Sequence, residues 1–229
     1  MKHLTPYPDK SSAIGQALRI AREQGEVVLV GEMPQQVRLV CFDMDATLIR
    51  METINEIAAA AGLGEEMKML TLRAMQGEED FRSNFIQRVK MLRGVPVSVL
   101  EKIASNMPYA NGLDSFIKRL DDAGIETAVI TGNFNIFGKR LKEDFGFRHI
   151  YTTTPEIENG ILTGNILGEV IDATAKANIL TSLCSKMGIP PSSTIAVGDG
   201  ANDIPMLATA GAAIAYNAIT AKEGIDFMI

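Results

Sequence analysis

Histidine and cysteine are both scarce in this sequence of 229 residues. With only His3 and His149 present, a zinc site built on histidines and a Ser-His-Asp triad are disfavoured. The two cysteines, Cys41 and Cys184, lie in apolar segments typical of a buried strand and a buried helix. We therefore expect two free thiols in a protein of the reducing cytoplasm.

Long apolar runs and basic clusters are missing as well. No apolar run reaches the roughly 18 residues of a membrane span, and the first ten residues lack the apolar core of a signal peptide. The net charge of −6, without a basic patch or helix, argues against nucleic acid or an anionic membrane as partners. The Walker pattern GxxxxGK followed by Ser or Thr is absent, which argues against a nucleoside triphosphatase of that type. A small phosphorylated substrate stays compatible with this charge, because a local metal ion and lysine can outweigh the global field.

Residues 40–50, VCFDMDATLIR, combine an apolar run with two closely spaced aspartates. The pattern predicts a buried parallel strand that carries Asp43 and Asp45 into the crevice at its carboxyl end. In a tight turn the two carboxylates face one small volume, and the amides of Asp45 and Ala46 are available to an anion. Oxygen ligands of this kind suit a hard cation such as Mg²⁺. The alternative is an acidic turn in which aspartate and Thr47 only cap a helix.

Strand patterns alternate with helix patterns along the rest of the chain, which predicts an α/β fold with a Rossmann-like, doubly wound parallel sheet. Asn159-Gly160 predicts a tight hairpin turn, and Ile225–Met228 predicts a last strand. The region rich in helix signals between two strands is interpreted as an inserted helical-bundle cap. The predicted divisions are an appended helix and strand at 1–36 without catalytic residues, a catalytic core at 37–50 and 108–229, and the cap at 51–107.

Two features of the predicted cap concern the site. Thr53 and Glu56 have the spacing of a capping box, which would leave Glu52 just outside the first cap helix and near the Asp43 loop. Arg88 falls within the apolar stripe of a later helix, beside Phe81. An arginine there either extends outward along its aliphatic stem or meets a buried anion, and the sequence pattern leaves both alternatives open.

Four groups of polar residues follow strand ends or open helices, where ligands bind in such a sheet. Each has a plain alternative as a turn or a solvated side chain, but their occurrence together and in order favours phosphoryl transfer to a carboxylate. Asp43 would attack phosphorus, and Asp45 would protonate the leaving alkoxide and then deprotonate water. The predicted Mg²⁺ ligands are Asp43, Asp45 and Asp199. The predicted phosphate-binding groups are Thr131, the amide of Gly132, Lys176 and Asn202, with Asp203 orienting Lys176 or the surroundings of the metal.

The segments DMDAT, TGNF, AK and GDGAND resemble, in this order, the four motifs of the haloacid dehalogenase superfamily. DMDATLIRMETINEIAAAAG, AMQGEEDF and AVGDGANDIPM are similar to segments of its phosphoserine phosphatase family, from about Arg38 onward. The resemblance implies a Rossmann-like core, a helical cap, Mg²⁺, and release of serine from O-phosphoserine. It also implies that Glu52 and Arg88 bind the amino and carboxylate groups of the substrate, and that Met75 and Phe81 wall the pocket.

The sequence departs from that family at two positions, with Ala46 in place of the usual serine and Asn133 in place of glycine. Ala46 is harmless if only its amide is used. Asn133 adds a polar side chain at the substrate loop, so a related phosphatase or phosphotransferase acting on another small phosphomonoester stays open. The first 36 residues are shorter than the regulatory domain of some relatives, and the chain stops at Ile229 without the closing helix that we would expect.

Overall fold

The sequence folds into strands and helices that alternate for most of the chain. The structure, a computed structural model, describes residues 1–4, 9–75 and 81–228, leaving out the side chains of residues 4, 71–75, 81 and 227. The strands of the described residues are Lys2–Leu4 (β1), Val28–Val30 (β2), Leu39–Phe42 (β3), Glu126–Phe134 (β4), His149–Glu158 (β5), Ile161–Leu167 (β6), Thr194–Gly198 (β7) and Ala212–Ala215 (β8). Their helices are Lys10–Gln24 (α1), Thr53–Ala60 (α2), Gly64–Met75 (α3), Phe81–Met91 (α4), Val97–Ala104 (α5), Leu113–Asp122 (α6), Asn135–Phe145 (α7), Ala173–Met187 (α8) and Ile204–Thr209 (α9).

The strands form one sheet in the order β1-β2-β8-β7-β3-β4-β5-β6. Strands β8, β7, β3, β4 and β5 are parallel, whereas β2 pairs antiparallel with β8 and β6 pairs antiparallel with β5. Every residue of β3 and β7 is buried, as expected for central strands covered on both faces. The predicted doubly wound parallel sheet is confirmed.

Helices cover both faces of this sheet and bury two apolar clusters. Helices α1, α8 and α9 pack on one face, where Ile14 and Leu180 are buried. Helices α6 and α7 pack on the other, where Phe42 of β3 meets Phe116 edge to face at 6.0 Å between ring centroids. Burying such a side chain contributes roughly 1.5–3 kcal/mol, so these contacts fix β3 and the loop that follows it.

The helices α2 to α5 lie between β3 and β4 in the chain, and the β5–β6 hairpin packs against them. Asn159 and Gly160 form the hairpin turn with φ angles of 51° and 76°, and Glu158 pairs with Ile161, so the predicted turn is confirmed. The Gly94 amide donates to the Leu162 carbonyl at 2.9 Å, and the Leu162 amide donates to a carbonyl of the helical region at 2.9 Å. The hairpin and the helical region are therefore hydrogen-bonded to each other.

Two local predictions are wrong. Residues Ile225–Phe227 form a turn of 3-10 helix instead of a strand, because a short apolar run has the same signature in either conformation. The capping box predicted at Thr53 is also absent. Glu52 is the N-cap of α2 and makes no side-chain capping bond, and the Thr53 hydroxyl donates to Asp45.

The N-terminal residues are part of the sheet, because β1 and β2 extend it beyond β8 and α1 covers β2. Cys41 and Cys184 are buried free thiols. Among the residues that the structure describes, we find no helix with both the length and the apolar character needed to cross a membrane.

Candidate active site

The carboxyl ends of β3, β4 and β7 meet at one edge of the sheet and carry the predicted site residues. Asp43 directly follows β3, and Asp199 directly follows β7. The pairing of β4 with β5 shifts register after Ile130, and such an irregularity turns the following side chains. Thr131 and Asn133 are buried there, and Asn133 contacts the loop after β3.

A pocket of about 340 Å³ lies between this edge and helices α2 and α4. It brings together residues from three parts of the chain. The strand ends contribute Asp43, Asp45, Thr131, Gly132, Asn133, Asp199 and Asn202 to the pocket lining. The helical region contributes Glu52, Asn84, Phe85 and Arg88, and α1 contributes Arg22. Most of the predicted site residues therefore share one cavity.

Three buried carboxylates, those of Asp43, Asp199 and Asp203, offer oxygen atoms within 4.8 Å of one another. Burial, and next the charge of Asp203, raise the pKa of Asp43 to about 7. The same two causes raise the pKa of Asp199 well above its usual value. Negative charge is thus crowded and poorly solvated here, and a divalent cation with a preference for oxygen would relieve it.

Lys176 is fully buried in the first turn of α8 and lies among these carboxylates. Its ammonium donates to Asp43 Oδ1 at 2.5 Å and to Asp203 Oδ1 at 2.7 Å. Although burial acts to lower the pKa of Lys176, the charges of Asp203 and Asp43 raise it overall. The lysine therefore stays charged behind Asp43, although its buried side chain is not itself part of the pocket lining.

Asp45 lies outside this group of three carboxylates. Its Oδ2 accepts hydrogen bonds from the Thr53 amide at 3.0 Å and from the Asn133 side-chain amide at 2.7 Å. Burial, and then the charges of Glu52 and Asp43, raise the pKa of Asp45 well above its usual value. This environment suits a carboxyl group that holds a proton and transfers it.

The turn after Asp43 differs from expectation at one amide. Ala46 adopts a left-handed φ of 52°, and its amide donates to the Met51 carbonyl at 3.1 Å. The prediction that this amide is available to an anion is therefore wrong. The hydroxyl oxygen of Thr47 is buried and, within the part of the chain that the structure describes, has no hydrogen-bond partner.

Arg88 and Glu52 both line the pocket from the helical region, so Arg88 does not simply extend into solvent. The guanidinium donates to Asn55 Oδ1 at 2.8 Å and to Met67 Sδ at 3.3 Å. Among the ion pairs of the described residues, none joins Arg88 to Glu52. Burial raises the pKa of Glu52 and lowers the pKa of Arg88, so each group lacks full compensation for its charge. The side chains of Met75 and Phe81 lie outside the described residues.

The sequence prediction did not include Arg22 and Asn217, which contact Asp199, or the pocket residues Asn84 and Phe85. Arg22 of α1 donates to the Asp199 carbonyl at 3.3 Å and lies 3.7 Å from Asp199 Oδ2. Asn217 is buried after β8 and donates to Asp199 Oδ2 at 3.1 Å. The strand-end position of Asn217 is a signal that could have identified it. Nothing in the sequence around Arg22 indicates that α1 reaches the pocket.

Comparisons with known proteins point to one family. Residues 37–211 match the model of haloacid dehalogenase-like hydrolases. A phosphoserine phosphatase of Archaeoglobus fulgidus is 46% identical over 184 residues, which are 80% of this chain and 54% of that protein. Another, of Methanocaldococcus jannaschii, is 38% identical over 198 residues, which are 86% of this chain and 94% of that protein. A solved structure, a phospho-aspartyl intermediate analogue of phosphoserine phosphatase, superposes with a TM-score of 0.71 and 38% identity, covering 77% of this chain and 85% of that chain.

The extent of these matches differs between relatives. The chain spans about half the length of the Archaeoglobus protein but nearly the whole of the Methanocaldococcus protein. The family model covers most of this chain, including all three strand ends that build the pocket. The chain therefore belongs to the haloacid dehalogenase-like hydrolases and, within them, to the phosphoserine phosphatase family.

Proposed function

We propose that this protein hydrolyses O-phosphoserine to serine and phosphate in a Mg²⁺-dependent reaction, through an aspartyl-phosphate on Asp43. The observation that carries the proposal is one pocket in which a buried aspartate lies beside Lys176 while Arg88 and Glu52 face the same space. The similarity to phosphoserine phosphatases supports the same substrate. The two free thiols suit a reducing cytoplasm as the place of the reaction.

The carboxylates at the base of the pocket fit a magnesium ion. Asp43 and Asp199 would hold it, with Asp203 as the third nearby carboxylate. We also predicted Asp45 as a ligand, and its side chain is instead hydrogen-bonded to Thr53 and Asn133. When bound, Mg²⁺ supplies positive charge to the phosphoryl oxygens and neutralises the crowded carboxylates.

The covalent step is assigned to Asp43. A carboxylate oxygen of Asp43 attacks phosphorus in line while the bond to the serine oxygen breaks. Lys176, Thr131, the Gly132 amide and Asn202 surround the phosphoryl group and stabilise the charge that develops on its oxygens. Gly132 has no room for a side chain, since a Cβ would lie 2.9 Å from the Ile171 carbonyl oxygen. This close packing fixes the position of the loop after β4.

Substrate choice is assigned to the helical region. We propose that residues 51–107 form a cap over the active site. An amino-acid phosphate is a zwitterion apart from its phosphate, and its carboxylate suits Arg88 while its ammonium suits Glu52. Arg88 is half-buried and Glu52 is exposed beside the pocket that both line, so binding would bring an opposite charge to each of them. Met75 and Phe81 are proposed, from the family resemblance, to complete the wall of this pocket.

Asn133 supports an alternative within the same class of reaction. Its side chain lines the pocket beside Asp45 and takes up space at the substrate loop. A different small phosphomonoester, handled by a phosphatase or a phosphotransferase, is therefore the second candidate.

A phosphate-release screen tests the proposal. Phosphoserine, phosphothreonine, a sugar phosphate and a generic aryl phosphate are compared with and without Mg²⁺, using the full chain. We expect phosphoserine to have the highest kcat/KM and chelation of the metal to abolish turnover. A higher kcat/KM for another phosphomonoester would support the alternative, and turnover unaffected by chelation would contradict the metal assignment.

A further inference from the structure

The Asn133 side chain forms a short hydrogen bond to the proposed acid, Asp45. Asn133 is only 6% exposed and lies at the carboxyl end of β4. Its Nδ2 donates to Asp45 Oδ2 at 2.7 Å. This contact joins β4 to the loop after β3, 88 residues away in the chain.

The orientation of this carboxamide is determined by its neighbours. Asn133 Oδ1 accepts a hydrogen bond from the Phe134 amide at 2.9 Å. A flipped carboxamide would place its NH₂ against that N–H donor, so Nδ2 must face Asp45. The Asn133 amide in turn donates to Thr131 Oγ1 at 3.2 Å, which fixes the backbone of the loop. Asn133 is therefore a held donor and not a freely rotating polar group.

The two oxygens of Asp45 have different surroundings as a result. Oδ2 accepts from the Thr53 amide at 3.0 Å, from the Thr53 hydroxyl at 3.0 Å and from Asn133. Among the described contacts, Oδ1 faces only the same hydroxyl, at 3.2 Å. The hydrogen bonds to Oδ2 hold the carboxyl group in one orientation, and Oδ1 is the oxygen with fewer hydrogen bonds among the described contacts.

We propose that Asn133 is a positioning residue that holds the Asp45 carboxyl group through Oδ2, so that Oδ1 is presented to the leaving-group oxygen. The proposal rests on the function proposed above. As the phosphorus–oxygen bond of the ester breaks and the bond to Asp43 forms, Asp45 Oδ1 gives its proton to the departing oxygen. Asp45 then takes a proton from the water whose oxygen attacks phosphorus. The bond to Asp43 breaks, phosphate leaves, and both aspartates return to their starting forms.

The positioning of the acid by Asn133 should have a distinctive kinetic effect. Proton donation matters most for a strongly basic leaving group and little for a weakly basic one. Loss of Asn133 should therefore impair slow-leaving esters selectively, whereas general damage to the site would impair all esters alike. The readout is the dependence of kcat/KM on leaving-group basicity.

The experiment compares phenyl phosphate with 4-nitrophenyl phosphate in the wild type and in Asn133→Ala, with Mg²⁺ present. We expect kcat/KM for phenyl phosphate to fall roughly tenfold to a hundredfold, because the lost hydrogen bond is to a carboxyl group that becomes charged as it gives up its proton. The value for 4-nitrophenyl phosphate should fall less than about threefold. Asn165→Ala is the matched control, because Asn165 donates to the Glu156 carboxylate at 3.0 Å on the exposed hairpin. It should change neither value.

Equal losses on the two esters, or no loss on either, would overturn the proposal. Asn133→Gly gives the same comparison if the alanine variant folds poorly. In an Asp45→Asn background, Asn133→Ala should add less than about a twofold loss, and fully additive losses would also overturn it. Neither ester carries an amino or carboxylate group, so a wild type that fails on phosphoserine still gives this comparison. Failure of the substrate assignment is thus distinguishable from failure of the role of Asn133.

Discussion

The ammonium of Lys176 and the carboxylate of Asp203 form a fully buried ion pair with a hydrogen bond of 2.7 Å. The other oxygen of Asp203 accepts the backbone amides of Asp199 at 3.2 Å and Gly200 at 3.1 Å. Gly198 packs closely against the same carboxylate. A Cβ at this position would lie only 2.6 Å from Asp203 Oδ2, so there is no room for a larger residue. Asp203 therefore couples the position of Lys176 to the loop that carries Asp199.

Replacing this carboxylate by an amide should be strongly destabilising. In either orientation of the side chain in Asp203→Asn, the NH₂ group meets a donor, which is the Lys176 ammonium or the loop amides. We expect the free energy of unfolding to fall by about 3–5 kcal/mol, measured by urea denaturation. The control is Asp121→Asn, which breaks an exposed 2.6 Å contact to Arg148 and should leave the free energy of unfolding almost unchanged. Similar losses in the two variants would contradict this role of Asp203.

Arg88→Ala should separate phosphoserine from substrates without a carboxylate. Loss of its charged hydrogen bonds should lower kcat/KM for phosphoserine roughly tenfold to a hundredfold. The value for 4-nitrophenyl phosphate, which lacks both amino-acid groups, should fall less than about threefold. Lys90→Ala removes a charge from the exposed side of the same helix and is the control. Parallel losses on both substrates would show that Arg88 supports the fold and does not select the substrate.

The stabilisation of the protein by Mg²⁺ should increase with pH. The pKa of Asp43 in the folded, metal-free protein is raised from 3.8 to about 7. Its contribution to folding stability is therefore fully present below pH 3.8 and is lost as the pH rises to about 7. Mg²⁺ binds the ionised carboxylates and competes with protons.

Thermal unfolding with and without Mg²⁺ measures this linkage. The increase in Tm on adding Mg²⁺ should be small near about pH 5 and grow by a few degrees per pH unit toward about pH 8. Asp199→Asn, which removes a proposed ligand, should show most of this increase abolished. An increase in Tm that is independent of pH would contradict the assignment of the ion to these buried carboxylates.

Arg22→Ala should strengthen Mg²⁺ binding and weaken phosphate binding. The guanidinium lies 3.7 Å from Asp199 Oδ2, with its side chain 54% exposed, so it repels a cation at the site and attracts an anion. Because solvent screens this charge, we expect changes of about twofold to fivefold in each dissociation constant, measured by calorimetry. Arg19→Ala removes the same charge one turn earlier on α1 and should change neither. A weaker Mg²⁺ affinity in Arg22→Ala would contradict the electrostatic account.

Local patterns predicted the central strands and the residues at their ends because both are short-range features. The run before Asp43 and the glycine-rich segment at Asp199 have the signature of buried strands that end in polar loops. Asn133 was recognised as a departure, but its bond to Asp45 depends on how β4 lies beside β3. The capping box at Thr53 failed for the same reason, since Asp45 takes its hydroxyl.

The contribution of the N-terminal segment could not be predicted from its sequence. Helix α1 was expected, but Arg22 reaches Asp199 only because β2 pairs antiparallel with β8. That pairing places the end of α1 next to the loop after β7. Contacts of this kind depend on tertiary packing and leave no periodic trace in the sequence.

The covalent step at Asp43 is the central claim, and rapid quenching tests it most directly. The enzyme is mixed with Mg²⁺ and phosphoserine labelled in its phosphoryl group, stopped in acid within a turnover, and reduced with borohydride, which converts an acyl phosphate to an alcohol. We expect label on the quenched protein and, after reduction, homoserine at position 43 by peptide mass spectrometry. Asp43→Asn should show neither the label nor homoserine, and its cooperative thermal unfolding should show that the variant is folded. Turnover by Asp43→Asn, or modification at a residue other than Asp43, would contradict the account.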